Sequence, residues 1–338
     1  MNISTILQNY CDRYHVPGLS VAAVRDGQTL WATGHGRANL EWDIPATADT
    51  VYEIASITKL FTATAVLRLA ETGQLGLDDA LHHHLPHLPE AWRGVTIRHC
   101  LTHQSGLPSY TETEKYWQTT RLDVSREELL GYVADLPLLA PPGQRYHYDN
   151  TGFYLLGLLI EQVSGQSYGD FVAAQILRPL GMADSRANDP YAIVPRRAQG
   201  YSYDAEQAAV RHKPYYSPTG TYSAGVLLST VADLAKFACA LESDAWLSAA
   251  SRQLMRTIHP SAEANERQLN FSVGLGWFFV DHPRGRFMGH NGGIQGFASS
   301  FIHLLDDGLT LIMLCNQDKA AEPHEVLFEV ADAVKGMS

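Results

Sequence analysis

The chain has little of what marks a disulfide-stapled, nucleic-acid-binding or membrane-embedded protein. Only four of its 338 residues are cysteine: Cys11, Cys100, Cys239 and Cys315. They lie far apart and form no metal or redox spacing, so buried free thiols in a reducing compartment are expected. Basic residues are few, 25 Lys and Arg against 36 Asp and Glu, for a formal charge of −11. With no basic stripe, nucleic acid is excluded as an expected partner, and the negative charge discourages binding to anionic membrane surfaces. The longest apolar run, Tyr154 to Ile160, is far too short to span a bilayer. Met1-Asn2-Ile3-Ser4 is not a basic stretch leading into an apolar core, so no secretory signal is read and a cytoplasmic location is expected. Nor does any internal repeat or flexible linker stand out.

Hydrophobic residues make up 45% of the chain, ample for a sizeable core. Ile3, Ile6, Leu7, Tyr10 and Tyr14 mark an opening amphipathic helix, stopped by Pro17-Gly18. Leu19–Val24 and Gln28–Thr33 flank Asp26-Gly27, the strongest short signal for a β-hairpin. Phe297–His303 and Leu309–Cys315 flank Asp306-Asp307-Gly308 as a second hairpin, before a closing helix over 323–334. The middle, from Ser56 to about Leu180, reads as helices and loops, and Pro195 to Pro218 as polar, Tyr-rich and irregular. Strands at both ends with helices between predict an α+β fold, with one antiparallel sheet assembled from the two chain ends and covered by helices. We expect a single catalytic unit of two lobes, an α/β lobe from 1–55 and 216–338 and a mostly helical one from 56–215.

Chemistry concentrates at Ser56-Ile57-Thr58-Lys59. Apolar residues from Ile54 to Ala70 recur close to helical spacing, so Ser56 and Lys59 share a face at the head of a buried helix. A serine hydroxyl needs an adjacent base to act as a nucleophile, and a lysine against apolar walls loses its proton more easily. A helix N-terminus adds N–H groups where an oxyanion could form. Alone, Ser-x-x-Lys is a weak signal, since an N-capping Ser and a solvated Lys match it equally well.

Two further stretches strengthen it. Tyr146-His147-Tyr148-Asp149-Asn150 follows Pro141-Pro142-Gly143 and precedes a helix from about Thr151, placing Tyr148 and Asn150 on a loop at a helix head. Tyr148 near Lys59 is expected to be partly phenolate and to shuttle a proton; Asn150 either faces the site or caps the helix. Gly289-His290-Asn291-Gly292-Gly293 lies between the strand-like runs Arg286–Met288 and Phe297–Leu305. Its small residues suit close approach of a substrate, and Gly293 N–H is a candidate second oxyanion donor beside Ser56 N–H. A plain glycine-rich turn is the alternative.

Ser-x-x-Lys, Tyr-x-Asn and His-x-Gly occur in this order across two-thirds of the chain. The sequence resembles the serine β-lactamase and penicillin-binding protein superfamily, nearest the branch of class C β-lactamases, D-alanyl-D-alanine carboxypeptidases, D-amino-acid amidases and family VIII carboxylesterases. Leu101-Thr102-His103-Gln104-Ser105-Gly106-Leu107 and Ser223-Ala224-Gly225 read the same way. The resemblance implies a β-lactamase-like fold, Ser56 as nucleophile, Lys59 as base, Tyr148 as proton relay, and a substrate-facing strand after His290 with Gly292 and Gly293. It implies a small ester or amide as substrate and no metal or organic cofactor. His290-Asn291-Gly292 stands where β-lactamases of the group usually show Lys-Thr-Gly. Histidine is mostly neutral at pH 7 and grips a carboxylate poorly, so a carboxylesterase is expected ahead of a D-stereospecific peptidase or amidase, a weak β-lactamase or an acyltransferase. A non-catalytic binding protein is the remote alternative.

Three other patterns are weaker. Gly165-Gln166-Ser167-Tyr168-Gly169 matches the nucleophile elbow of α/β-hydrolases but follows a helical segment rather than a strand. His82-His83-His84 with His87 sits in a segment broken by Pro86 and Pro89, read as an irregular surface loop without spaced partners for a metal. Tyr110, Tyr116, Trp117, Tyr215, Tyr216 and Tyr222 either line a pocket or simply pack loops.

Overall fold

The computed structural model describes residues 2–243, 246–259, 271–318, 320 and 323–335. Helix α1 (Ile3–Tyr14) starts at Asn2, whose side chain accepts a hydrogen bond from Thr5 N, and ends at His15 in the left-handed conformation. It buries Ile6, Leu7, Tyr10 and Cys11, the stripe its spacing predicts. Strands β1 (Gly18–Arg25) and β2 (Gln28–Asn39) follow, with Asp26 and Gly27 both at positive φ in the connecting turn.

Strands β3 (Ile44–Pro45), β4 (Phe271–Val273), β5 (Phe278–His282), β6 (Gly285–Ile294), β7 (Phe297–Leu304) and β8 (Leu309–Cys315) complete an eight-stranded sheet in the order β3-β2-β1-β8-β7-β6-β5-β4. The first strand pairs antiparallel with the last, from Leu19 opposite Cys315 to Arg25 opposite Leu309. The sheet is thus built from both chain ends, as expected. Side chains alternate across it. Leu19, Val21 and Ala23 with Leu309, Leu311 and Met313 face α1 and the closing helix α5 (Pro323–Lys335). Ala22, Val24, Ile312 and Leu314 face the main core with α4 (Val231–Ala240) and α2 (Thr58–Glu71). Burial on both faces explains why Leu19–Val24 and Leu309–Cys315 are apolar apart from Ser20 and Thr310.

Two expectations need correction. The segment 195–218 is not wholly irregular: Tyr201–Asp204 and Ala209–His212 form a hairpin, hidden in sequence because its side chains are mostly polar and partly exposed. The His82-His83-His84 run is not a loop but part of a short helix, Leu81–His84, in which His82 Nε2 pairs with the Pro89 carbonyl and His84 Nε2 with Asp79 Oδ2. Among the described residues, no group of three or more His, Cys, Asp or Glu is placed to hold a metal ion. None of the described helices is long and apolar enough to cross a membrane. The four cysteines are unbonded; three are buried and Cys239 is half-buried.

Candidate active site

Ser56 lies in a 3₁₀ turn, Ala55–Ile57, that runs directly into α2. Ala55 is at φ 47°, a conformation that L residues adopt only under local constraint, and it turns the chain so that Ser56 heads the helix. Lys59, one turn on, is fully buried, with its Nζ 3.2 Å from Ser56 Oγ. Nζ also donates to Asn150 Oδ1 at 2.7 Å and to the Ala224 carbonyl at 2.8 Å. Burial pushes the Lys59 pKa down to about 7, partly opposed by the Asp149 charge.

Tyr148 donates its hydroxyl hydrogen bond to Ser56 Oγ at 2.9 Å. Burial raises its pKa, the reverse of the expected phenolate, because the loss of solvation outweighs the opposing effect of its hydrogen bond with Ser56. Its ring stands between neighbours: His103 at 4.5 Å, Phe278 at 6.2 Å, His290 at 6.0 Å, and the Lys59 ammonium nitrogen 5.0 Å from its centroid.

Helix α3 (Asn150–Ser164) is capped by Asp149, whose carboxylate accepts from Gly152 N, so Asp149 takes the capping role weighed for Asn150. That frees the Asn150 amide. Its Nδ2 donates to Thr111 Oγ1 at 2.9 Å, which turns Oδ1 onto Lys59. Asp149 is fully buried and accepts from Ser105 Oγ at 3.0 Å; desolvation raises its pKa to about 7 against those bonds and Lys59. His103 Nδ1 accepts from Asp149 N at 3.2 Å, which places its ring against Tyr148.

His290, Asn291, Gly292 and Gly293 lie within β6, so the glycine-rich turn is not what forms; the turn is Gln295-Gly296, with Gly296 at φ 83°. Strand β5 pairs with β6 only as far as Gly289, leaving the 290–294 edge open on that side while the other pairs with β7. Gly292 is sterically required. A Cβ there would stand 2.4 Å from the Ile54 carbonyl oxygen, 2.3 Å from Ser299 Oγ and 3.1 Å from Ser56 N. The absent side chain is what brings the strand against the Ser56 turn. At Gly293 a Cβ would meet nothing within 4 Å.

His290 is buried, and its Nδ1 donates to the Asn291 carbonyl. Burial, and then the Lys59 charge, push its pKa down to about 3, so the ring is neutral. Two cavities border Ser56. One of 240 Å³ is lined by Tyr110, Tyr116, Trp117 and Tyr216 among others. The other, of 680 Å³, is lined by Tyr148, Phe271, Phe278, Phe287 and His290 among others. Neither lining includes a Lys or Arg among the described residues. Tyr215 and Tyr222 line neither cavity; the Tyr222 hydroxyl donates to Glu161 and its ring packs on Tyr154 and Tyr168. Ser167 caps the short helix Tyr168–Val172, far from the elbow its motif suggests.

The seven site residues expected from sequence, Ser56, Lys59, Tyr148, Asn150, His290, Gly292 and Gly293, therefore gather around one hydroxyl. Sequence reasoning missed Thr111 and gave no role to Asp149, His103, Ser105 or the Ala224 carbonyl, although each lies in a stretch it singled out. Asp149 was open to detection as the Asx residue preceding a helical run.

The Beta-lactamase family profile matches residues 3–335. Penicillin-binding protein 4* of Bacillus subtilis is 30% identical over 98% of this chain and 75% of that protein. Among solved structures, the octameric penicillin-binding protein homologue of Pyrococcus abyssi superposes with a TM-score of 0.87 at 29% identity, covering 99% of this chain and 77% of that one. The D-amino acid amidase of Ochrobactrum anthropi SV3, complexed with D-phenylalanine, gives 0.86 at 26% identity, over 99% and 98% of the two chains. With its family match spanning nearly every residue, the chain belongs to the β-lactamase family and is a serine hydrolase.

Proposed function

We propose that the chain hydrolyses small or medium acyl esters through an acyl-enzyme on Ser56, acting on substrates with no carboxylate beside the scissile bond. One observation carries this reading: among the described residues the cavities at Ser56 are lined by no Lys or Arg, and the residue in the usual Lys position, His290, is buried and neutral. Lys59 takes the Ser56 proton as Ser56 Oγ attacks the carbonyl carbon. Ser56 N–H and Gly293 N–H hold the oxyanion, each donor contributing about 3 kcal/mol. Tyr148 protonates the departing group, and water entering by the same route releases the acid. No step calls for a metal or organic cofactor.

A second reading, a D-stereospecific amidase, is supported by the O. anthropi D-amino acid amidase and a Streptomyces D-stereospecific amidohydrolase, the latter at TM-score 0.81 and 26% identity over 96% of each chain. The division into an α/β lobe (1–55 with 216–338) and a helical lobe (56–215) is part of the proposal, supported by a sheet drawn from both chain ends. So is a cytoplasmic location, supported by four unbonded cysteines.

The test compares kcat/KM on p-nitrophenyl butyrate, D-alanyl-p-nitroanilide and nitrocefin, with intact-mass detection of a Ser56 adduct and Ser56→Ala as control. Ester turnover far above the other two is expected, abolished in the Ser56→Ala variant. Faster anilide cleavage selects the amidase reading, and faster nitrocefin cleavage overturns both.

A further inference from the structure

The two cavities differ in size, lining and relation to the proton donor, and their junction is informative. Ser56 and Gly293 line both. Tyr148 lines the large cavity and not the small one, whereas Asn150 lines the small one and not the large one. Taking Ser56 as the nucleophile, a carbonyl carbon bonded to its Oγ directs its oxygen at the Ser56 and Gly293 N–H groups. Its two remaining substituents then diverge, one into each cavity.

Which goes where is decided by the proton. As the tetrahedral intermediate collapses, the bond from carbon to the leaving oxygen or nitrogen breaks, and that atom must be protonated by a neighbour. Tyr148 already donates a hydrogen bond toward Ser56 Oγ, from the wall of the large cavity. We propose that the large cavity is the leaving-group pocket and selects an apolar, ring-bearing alcohol or amine, while the small cavity holds the acyl group and limits its length. This rests on the acyl-enzyme reading above and extends it to substrate structure.

The chemistry of the walls fits. Phe271, Phe278 and Tyr146 meet edge to face, with ring centroids 5.2–6.3 Å apart, and Val280 and Phe287 extend the apolar wall. Such rings favour edge or offset contacts with an aromatic guest. The small cavity has roughly a third of the volume, and its rings share the wall with Asn150, Thr111 and Gln295. The step balances. The Ser56 Oγ–carbon bond forms, and the Ser56 proton passes to Lys59. The carbon–leaving-atom bond then breaks, and the Tyr148 proton goes to the leaving atom. The Lys59 proton finally restores the Tyr148 hydroxyl, leaving a neutral alcohol or amine and an acyl-enzyme.

The experiment is a matrix of esters: acetyl, butyryl and octanoyl acids with methanol, benzyl alcohol and 2-naphthylmethanol. At fixed acyl group, kcat/KM is expected to rise at least tenfold from methyl to naphthylmethyl. With methyl esters it is expected to fall at least tenfold from butyryl to octanoyl. All esters of one acid share an acyl-enzyme, so wherever deacylation limits turnover the leaving group alters kcat/KM but not kcat. Phe278→Ala is expected to erase most of the naphthylmethyl preference without changing acyl-length selectivity, and Trp117→Ala to relax acyl length alone. Crossed effects, or a flat response to leaving-group size while Ser56 still acylates by intact mass, overturn the subsite assignment alone. If no ester acylates Ser56, the ester-hydrolase reading falls and this proposal with it.

Discussion

Replacing Gly292 with Ala tests the construction of the site most directly, because the added atom has a known destination. Its Cβ would lie 2.4 Å from the Ile54 carbonyl oxygen and 2.3 Å from Ser299 Oγ, and Ser299 Oγ itself donates to that same carbonyl at 2.9 Å. Rotating Ser299 away therefore removes one clash but leaves the Ile54 oxygen in place and takes away its hydrogen-bond donor. Restoring ordinary contact requires about 1 Å of separation between β6 and the turn that carries Ser56. Overpacking of this kind costs about 1–3 kcal/mol of stability. Its larger effect is on rate, since Gly293 N–H moves with the strand. A misplacement near 1 Å costs about 10²-fold, and loss of one oxyanion donor about 10²–10³-fold. Acylation by p-nitrophenyl butyrate, read as kcat/KM and as the rate of adduct formation by intact mass, is expected to fall by about 10²–10³-fold. The control is one residue on. Gly293→Ala places its Cβ where nothing lies within 4 Å and keeps the N–H, so its rate is expected within about tenfold of the parent. Near-parental acylation by Gly292→Ala, with Gly293→Ala the crippled variant, would refute the claim that the strand is held against Ser56 by the missing side chain.

Two further predictions concern charge. With the Lys59 pKa lowered to about 7, the amine is increasingly neutral above that pH and protonated below it. For a neutral ester, kcat/KM is expected to fall tenfold per pH unit below about 7 and to level off above it. A limb near pH 10, or activity that declines as pH rises through 7, contradicts Lys59 as the base. In His290→Lys, a cation enters the position where the parent ring is neutral. A charge-assisted contact of about 1.5–3 kcal/mol is expected to raise the nitrocefin-to-butyrate ratio of kcat/KM by about 10–100-fold; an unchanged ratio shows that this position does not set carboxylate preference.

What was legible in the sequence was what side-chain type and period encode. The Asp26-Gly27 turn, the apolar runs of β1 and β8, and the spacing of Ser56 and Lys59 each follow from local rules, and each is found. Glycine at 292 was legible as close approach, but its partner, the Ile54 carbonyl, was not, because a backbone oxygen carries no residue code. The same holds for the Ala224 carbonyl on Lys59. Strand β2 was read only to Thr33, since Gly34 and Gly36 interrupt the alternation that continues in the sheet to Asn39. Asp149 was overlooked beside the more conspicuous Tyr148 and Asn150, although the rule that places Asp at a helix start applies there. The phenolate expectation failed for another reason: a sequence shows the neighbouring cation but not the burial that outweighs it.

The hydrogen bonds around Lys59 support it, rather than Tyr148, as the base in the proposed reaction. A neutral amine has two N–H donors and one lone pair. Asn150 Oδ1 at 2.7 Å and the Ala224 carbonyl at 2.8 Å accept hydrogen bonds and, in these positions, have no proton to give; they take both donors. The remaining direction, the longest contact at 3.2 Å, faces Ser56 Oγ, where the lone pair can accept the serine proton. The Thr111 bond to Asn150 Nδ2 keeps the amide from turning and presenting a donor to the lysine. Tyr148, held neutral by burial, donates to Ser56 from another side and so cannot be the group that first removes its proton. Nζ donates to Ser56 Oγ while the amine is charged; once it is neutral, Ser56 Oγ accepts from Tyr148 and donates to Lys59, and in the proposed reaction the proton moves one way around the site: from serine to lysine as the carbonyl is attacked, and from tyrosine to the leaving group as the intermediate collapses. Lysine is suited to the first task because burial lowers its pKa while these two acceptors orient its lone pair toward the serine.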